Sequence, residues 1–362
     1  MSHSPDSTMG VLEEYGFDEW FQEQGKPFIK DGFPIARVTQ VNRGAYKVFD
    51  GQEESVARLP GKFVFGSERR TDYPTVGDWV VMQPAEGRAD TTIHDLLPRK
   101  SLLRREDPAK TIGFQLIAAN VDHAFIMHSV NLHFDVSRLE RYLVMINESK
   151  IQPIVVLTKT DLLSPGERSK IDRKVDCLRS RSRVLSMSSV TGEGMDALQD
   201  ELKARQTYCL LGASGVGKTT LLNTLIGEPM FVVKEVREKD SKGRHATTRR
   251  QLIRLESGPI FIDTPGMREL GNLGIETGLE KTFDEITSHS SGCHFSDCTH
   301  MHEKGCAVIA AVESGEIARE RYQSFIEIQK DSASYGMSYV DKYKKGKSTG
   351  KERRGHLKRK KK

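Results

Sequence analysis

The chain has 362 residues, of which 29% are charged, and a formal net charge of +5. This length exceeds one average domain, so we expect two or three domains with separate cores. No apolar run approaches the ~20 residues that a membrane span needs, and the polar N-terminus lacks the basic and then apolar pattern of a signal peptide. We therefore predict a cytoplasmic protein with no membrane partner.

The N-terminal part of the chain changes character near residue 33. Residues 1–33 are acidic and carry aromatic side chains, and we expect a short helix there that packs on the body. Between Phe33 and Arg105, short alternating runs are separated by turn residues, which is typical of a small β-barrel. The five predicted barrel strands are 35–41, 46–49, 55–59, 78–82 and 91–97.

From about residue 115 the apolar runs lengthen and alternate with helical patterns, which indicates a parallel α/β sheet. The first predicted helix carries its apolar residues between Leu139 and Ile146, and another follows within 189–203. A helical stretch is also predicted at 307–329. The predicted strands of the sheet are 121–130, 153–157, 184–188, 208–211 and 258–263.

Residues 212–219 match the pattern G-x-x-x-x-G-K-[ST], with an apolar strand before them and a helical pattern after them. Backbone N–H groups of such a loop face phosphates, Lys218 reaches the β- and γ-phosphates, and the Thr219 hydroxyl ligates Mg²⁺. Because it neutralises phosphate charge, Lys218 is also a catalytic candidate. The predicted nucleotide contacts in this loop are Gly212, Ala213, Ser214, Gly215, Val216, Gly217, Lys218, Thr219 and Thr220.

A second strand ends in Asp263-Thr264-Pro265-Gly266. This motif places the Asp263 carboxylate to hold Mg²⁺ through water and the Gly266 N–H to bond the γ-phosphate, so the chain is predicted to be a P-loop NTPase. Between the two motifs lies a charged stretch, 234–250, which we interpret as a switch that orders on the γ-phosphate. Either Thr247 or Thr248 would complete the Mg²⁺ shell.

The base-reading motif is Thr158-Lys159-Thr160-Asp161. The Asp161 carboxylate can accept hydrogen bonds from both N1–H and the exocyclic amine of guanine, and Lys159 would cover the base plane. Thr158 stands where Asn is usual, so it offers a hydroxyl but no amide to the base or to the phosphate loop. We predict GTP as the nucleotide, with ATP as the alternative.

The order of these motifs departs from that of an ordinary GTPase. The phosphate loop normally comes first and the base-reading Asp last, because each motif ends a successive strand of one sheet. Here Asp161 precedes the loop at 212–219. This order predicts a circularly permuted GTPase domain.

The group that orients the attacking water is not the usual one. Ras-like enzymes use a Gln after the Asp-x-x-Gly motif, whereas this chain has Met267, which cannot hydrogen-bond water usefully. Intrinsic hydrolysis should therefore be slow. His245, or a group from a partner, must position the water; the alternative interpretation of His245 is a solvated loop histidine.

Three of the five cysteines fall within one short segment, Cys293-x4-Cys298-x-His300-x5-Cys306. Three thiolates and one imidazole are the ligand count of a closed tetrahedral zinc site, which would be structural. The alternatives are His294 or His302 in place of His300, or scattered cytosolic thiols with no metal.

A strongly basic tail ends the chain. From Lys342 to Lys362 there are 12 Lys or Arg and one Glu, a net charge of +11, whereas the other 341 residues carry −6. We expect such a segment to be disordered when free and attracted to polyanions. Nucleic acid is the favoured partner, since an acidic body would otherwise be repelled by RNA; a solubilising tail is the alternative.

The combination of motifs resembles the bacterial ribosome small subunit-dependent GTPase A family, from about Phe33 to Phe325. The departures from the family pattern are Thr158 for Asn and Ala246 within the His-Thr-Thr-Thr type switch, and the tail lies outside the resemblance. The resemblance rests on Gly77-Asp78-Trp79-Val80, Arg141-Tyr142-Leu143, 158–161, Thr191-Gly192-Glu193-Gly194, 212–219, 243–248, 263–266, the Cys/His cluster and Arg321-Tyr322.

The resemblance implies an N-terminal OB-type barrel, a central circularly permuted GTPase domain and a C-terminal zinc-binding helical domain. It also implies hydrolysis of GTP to GDP, coupled to late maturation of the 30S subunit with its 16S rRNA. The 30S particle would stimulate this hydrolysis. We expect a monomer. Two alternative classes of protein are an RNA-binding protein that uses GTP only as a structural ligand, and a P-loop ATPase or kinase. The expected domains are an extension at 1–33, the barrel at 34–105, the GTPase domain at 106–275, the zinc domain at 276–335 and the tail at 336–362.

Overall fold

A computed structural model describes residues 5–42, 44–61, 72–83, 91–106, 114–130, 134–227, 250–263 and 275–332. Two compact units contain them: 1–104 with 116–269, and 105–115 with 270–362. Within the described ranges, every helix is too short or too polar to span a bilayer.

The first unit begins with two helices and a run of short strands. These elements are α1 (Pro5–Glu14), α2 (Glu19–Lys30), β1 (Ile35–Asn42), β2 (Ala45–Phe49), β3 (Glu54–Arg58), β4 (Trp79–Met82) and β5 (Thr91–Leu96). A two-stranded sheet follows, formed by β6 (Leu102–Glu106) and β7 (Phe114–Ala119).

Longer elements follow, beginning with β8 (His123–Ser129), α3 (Val136–Glu148), β9 (Gln152–Thr158), α4 (Pro165–Arg179), β10 (Arg183–Met187), α5 (Met195–Asp200), β11 (Thr207–Leu211), α6 (Lys218–Ile226), β12 (Gln251–Arg254) and β13 (Ile260–Asp263). The second unit contains α7 (Glu276–Thr282), α8 (Asp284–Ser290), α9 (Ala307–Ser314) and α10 at 319–332.

Five strands of the first unit close into a barrel. Strand β1 pairs antiparallel with both β2 and β4, β2 pairs with β3, and β4 pairs with β5. The parallel pairing of β3 with β5 completes the circle. This closed five-stranded arrangement confirms the predicted OB-type barrel. Its interior contains Ala36, Val38, Tyr46, Val48, Ala57, Val80, Met82 and Ile93.

The remaining long strands form an open sheet in the order β10-β9-β8-β11-β13-β12. The first five strands are parallel, and only β12 is antiparallel to its neighbour β13. The chain completes one half of this sheet, β8 to β10, before it returns to the central strand β11. The structure therefore has the strand connectivity that a circular permutation predicts.

Backbone and side-chain contacts join the barrel to the open sheet within the first unit. Strand β12 pairs with barrel strand β1 at Gln40 and Gln251. The buried Arg37 of β1 donates hydrogen bonds to the Tyr15 carbonyl and, at 2.8 Å, to the Thr207 hydroxyl at the start of β11. Burial lowers the pKa of Arg37 to about 10, although nearby carboxylates oppose the shift.

The N-terminal extension packs on the body as expected, but it forms two helices and not one. Gly16, with φ of +86°, turns the chain between them, and a Cβ there would lie 2.9 Å from the Arg205 carbonyl oxygen. Asp18 then caps α2 by accepting the Phe21 N–H. The turn is therefore set by a close backbone approach that only glycine permits.

The helical stretch expected at 307–329 is likewise divided. Helix α9 ends where Gly315 adopts φ of +83°, and the chain resumes helical structure at 319. Strands β6, β7 and β12 were not predicted from the sequence. Each is short, and β12 is only half-buried along its length, so neither period-2 alternation nor a fully apolar run marks it.

Candidate functional site

The loop 212–217 connects the central strand β11 to the N-terminus of α6. Gly212 has φ of +141°, and a Cβ on it would lie only 2.3 Å from the Met127 carbonyl oxygen of β8. Gly217, with φ of +103°, is the residue before α6. The loop therefore crosses the end of β8 in a conformation that requires glycine. The first N–H groups of α6, which have no partners within the helix, lie at the end of this loop.

Lys218 is the first residue of α6. Its Nζ donates hydrogen bonds to the Gly212 and Ala213 carbonyls at 2.7 and 2.8 Å, so its ammonium lies inside the loop. Asp263, at the end of the neighbouring strand β13, is affected by this charge. Burial raises the pKa of Asp263 to about 6, and the Lys218 ammonium opposes that rise.

The base-reading motif begins at the carboxyl end of β9. Lys159 has a left-handed backbone, with φ of 63°, and a 3-10 turn at Thr160–Leu162 follows. The Thr158 hydroxyl donates a 2.7 Å hydrogen bond to the Val216 carbonyl of the phosphate loop, and Thr158 is buried. Thr158 therefore contacts the phosphate loop through a hydroxyl, although it lacks the amide of the usual Asn.

Ser188 is a site residue that the sequence analysis missed. It follows β10, and its hydroxyl donates a 2.5 Å hydrogen bond to Oδ1 of Asp161. The same hydroxyl oxygen accepts the N–H groups of Val190 and Thr191 at 3.1 and 3.2 Å. Ser188 thus orients the Asp161 carboxylate; its place just before the Thr191–Gly194 run was the available signal.

A bidentate ion pair joins helix α4 to the loop that follows β10. Arg168 of α4 donates to both carboxylate oxygens of Glu193 at 2.7 and 2.8 Å. Both side chains are more than 40% exposed, so the pair adds little stability and mainly fixes geometry. Gly194 holds the same loop against β10, because a Cβ there would lie 2.0 Å from the Ser186 carbonyl oxygen.

Several candidate residues lie outside the described residues. They are the proposed water-positioning His245, the switch threonines Thr247 and Thr248, Gly266, and Met267. The basic tail from Lys342 lies outside them as well.

Replacement of Thr158 by Val tests the hydroxyl contact to the phosphate loop. Loss of this bond leaves the Val216 carbonyl unpaired, so we expect GTP affinity to fall by about 1–2 kcal/mol, or roughly 5- to 30-fold. Equilibrium binding of GTP measures the effect. The matched variant is Thr160→Val, which removes a buried hydroxyl that has no hydrogen-bond partner among the described residues, and a smaller change is expected there. Equal losses in the two variants would contradict the assigned contact.

A cluster in the second unit brings four ligand atoms together. They belong to Cys293, Cys298, His300 and Cys306 and lie within 4.8 Å of one another. His300 Nδ1 is 3.5 Å from both Cys293 Sγ and Cys306 Sγ, and those sulfurs are 3.8 Å apart. In a tetrahedral site with metal–sulfur bonds of ~2.3 Å and metal–nitrogen bonds of ~2.0 Å, the edges are about 3.8 and 3.5 Å. The cluster could therefore hold a metal ion.

The local backbone presents His300 to the thiols, rather than His294 or His302. His300 has a left-handed φ of 61°, and the Glu303 carboxylate accepts the N–H groups of Thr299 and Met301, both at 2.9 Å. The Tyr322 hydroxyl of α10 donates to the His300 carbonyl at 2.6 Å. Cys306 caps α9 by accepting the Ile309 N–H. Two of the four ligands, His300 and Cys306, are thereby tied to helices α10 and α9.

Comparisons with known proteins agree with this architecture. Residues 96–273 match the model of the RsgA GTPase family. The chain is 39% identical over 324 residues to the small ribosomal subunit biogenesis GTPase RsgA 2 of Listeria monocytogenes serotype 4b (strain F2365). The matched region covers 89% of this chain and 90% of the relative. It is 36% identical over 332 residues to the RsgA of Streptomyces coelicolor, with 91% and 89% covered.

Two solved structures are similar over most of the chain. The crystal structure of YjeQ from Thermotoga maritima matches with a TM-score of 0.62 and 26% identity, covering 82% of this chain and 97% of that one. The structure of YloQ, a circularly permuted GTPase, matches with a TM-score of 0.60 and 26% identity, covering 84% and 96%.

An OB-type barrel joined to a permuted P-loop sheet defines the class as a circularly permuted GTPase. With more than 35% identity to curated relatives over nine-tenths of its length, the chain belongs to the RsgA GTPase family.

Proposed function

We propose that this protein is a GTP hydrolase that binds the small ribosomal subunit and couples hydrolysis to late maturation of that subunit. The observation that carries the proposal is the hydrogen bond from Thr158 to Val216, which links the base-reading motif after β9 to the phosphate loop after β11, across the end of the intervening strand β8. The relatives' description as small ribosomal subunit biogenesis GTPases supports the biological process.

In the proposed site, each end of the nucleotide has its own group of residues. Asp161, held by Ser188, accepts the guanine donors, and Lys159 covers the base. Loop 212–217 and the α6 N-terminus surround the phosphates, to which Lys218 contributes a positive charge. Thr219, one of Thr247 and Thr248, and Asp263 through water would hold Mg²⁺, which supplies further charge neutralisation when bound.

Slow intrinsic hydrolysis is expected because Met267 stands where a water-orienting Gln is usual. His245, or a group supplied by the bound particle, is proposed to position the water. A group supplied in trans can be worth roughly 10³- to 10⁵-fold in rate. We therefore propose that the small subunit is the activator of hydrolysis.

We further propose that Cys293, Cys298, His300 and Cys306 hold one structural Zn²⁺. Three thiolates and one imidazole are a common zinc ligand set that leaves no open position, and the three edges among Cys293, His300 and Cys306 have the lengths of a tetrahedral site. The donor set disfavours Mg²⁺ and Ca²⁺, which prefer oxygen ligands.

The proposed partner surface includes 16S rRNA. The tail from Lys342 to Lys362 carries +11 on a chain whose remainder is acidic, and an OB-type barrel is a frequent RNA-binding fold. We propose a cytoplasmic monomer with the barrel at 34–105, the GTPase domain at 106–275, the zinc domain at 276–335 and the tail at 336–362.

GTP turnover with and without purified small subunits tests the function. We expect turnover to rise at least tenfold with small subunits and to stay near the basal rate with large subunits at equal concentration. Lys218→Ala is the inactive control, because it removes the ammonium that lies inside the phosphate loop.

Two results would contradict the proposal. Equal turnover with and without small subunits would favour a nucleotide-dependent RNA-binding protein. Preference for ATP over GTP in a competition assay would favour an ATPase or kinase.

A further inference from the structure

Strand β12 directly follows the charged stretch 234–250, the predicted nucleotide-dependent switch, which we call the first switch. Its first residue, Gln251, pairs with Asp263 of β13, whose carboxylate is proposed to face the Mg²⁺. On its other edge Gln251 pairs with Gln40 of barrel strand β1. The end of the first switch is therefore adjacent to both the nucleotide site and the barrel.

This backbone connection to the barrel is narrow. Among the described residues, β12 and β1 are in register only at Gln40 and Gln251. The register of β1 is also irregular between Val38 and Gln40, where it pairs with β2. Pairing with β13 holds β12 in the open sheet, but its backbone link to the barrel is this single position, so a side-chain contact near Gln251 adds to that link.

Arg250 provides such a contact. It immediately precedes β12, is half-buried, and donates a 2.6 Å hydrogen bond from Nη1 to the Leu116 carbonyl of β7, which lies 134 residues away in sequence. Strand β7 is itself fixed to the barrel. The Ala119 N–H donates to the Val76 carbonyl at 2.9 Å, and the Asn120 side chain donates to the Gly77 carbonyl at 3.1 Å.

We propose that Arg250 is a positioning residue for GTP hydrolysis: its bond to Leu116 holds the end of the first switch against β7, so that a particle bound at the barrel acts on the switch through this contact. The inference rests on the proposed stimulation by small subunits. A charged donor on a backbone acceptor suits this role, because such a bond is stronger than one between two neutral groups.

The matched control lies on the same strand. Arg254 ends β12, and its guanidinium pairs with Glu14 of α1 at 2.6 Å, away from the switch end of the strand. Arg254→Gln therefore removes an arginine and an interelement contact from β12 without touching the end that leads to Gln251. Arg250→Lys keeps the charge but presents a compact ammonium in place of the planar guanidinium fork.

The experiment measures small-subunit-stimulated turnover of full-length variants, with kcat and the KM for the particle determined separately. For Arg250→Gln we expect the stimulated kcat to fall by about 10- to 100-fold, the range for loss of a hydrogen bond from a charged donor. The KM for the particle and the affinity for GTP should change little, and the thermal unfolding midpoint should fall no further than in Arg254→Gln, which also loses a charged hydrogen bond. Arg250→Lys should recover part of the kcat, and Arg254→Gln should keep the wild-type kcat within threefold.

The possible failures are distinguishable. If the wild type is not stimulated by small subunits, the proposed function fails and the inference fails with it. If the wild type is stimulated and Arg250→Gln is stimulated equally, only the inference is overturned. A fall of the same size in Arg254→Gln, or one matched by loss of folded protein in the unfolding curve, would also overturn it, because either result marks a general structural role.

Discussion

Removal of the proposed zinc from the cluster of Cys293, Cys298, His300 and Cys306 should unfold the region 275–332. Binding of structural zinc contributes on the order of 10 kcal/mol in small domains, a loss comparable to the whole stability of a typical domain. The region is short and its helices α7, α8 and α9 have seven or eight residues each. Helices of this length are not stable alone, so they depend on packing around the cluster.

The contacts around the ligands explain why the loss should spread. Cys306 caps α9, and the His300 carbonyl accepts the Tyr322 hydroxyl of α10. Arg321 stacks over Phe283 at 4.2 Å and donates to Glu285 at 2.8 Å, which ties α10 to the segment before the cluster. When the ligands separate, the residues that make these contacts are no longer held close together.

Limited proteolysis of the full-length protein, with cleavage sites located by mass spectrometry, measures the effect. After chelation we expect new cleavage within 275–332, with the rest of the described chain still protected, and readdition of zinc should restore protection. Cys298→Ser should mimic chelation. Cys177→Ser is the matched control, since Cys177 lies on α4 and outside the cluster. Unchanged protection after complete metal removal would contradict a structural metal.

The sequence predicts those parts of the site that depend on local pattern. The phosphate loop was predictable because its strand, glycines, lysine and helix are consecutive, and the metal cluster because its ligands fall within one short segment. The closure of the barrel was predictable only as a class, since the parallel pairing of β3 with β5 joins strands separated by more than thirty residues.

Contacts between distant residues were not predictable. Ser188 carries no pattern of its own, and its role appears only when β10 brings it to Asp161, 27 residues away in sequence. The same is true of Arg37, whose bond to Thr207 spans 170 residues. Thr158 is a related case, because only the fold shows that a hydroxyl at this position reaches the Val216 carbonyl.

Replacement of Asp161 by Asn should reverse the base preference of the protein. The carboxylate uses Oδ1 to accept the Ser188 hydroxyl at 2.5 Å, which leaves acceptor capacity on Oδ2 for the two guanine donors. An amide at this position would present N–H groups to those donors. We expect GTP affinity to fall by about 3 kcal/mol or more, over 100-fold, since two hydrogen bonds to a charged acceptor are lost.

Xanthosine triphosphate is the complementary ligand for this variant, because its base has an oxygen where guanine has the exocyclic amine. Competition of GTP and xanthosine triphosphate for a fluorescent nucleotide measures both affinities, and we expect Asp161→Asn to bind the xanthine nucleotide more tightly. Ser188→Ala is the matched control: it removes the group that orients Asp161 but keeps the carboxylate, so GTP affinity should fall without a change of base preference. Unchanged GTP affinity in Asp161→Asn would show that this carboxylate does not contact the base. An Asn amide that replaced a contacting carboxylate would place an N–H group against a guanine N–H group and weaken binding.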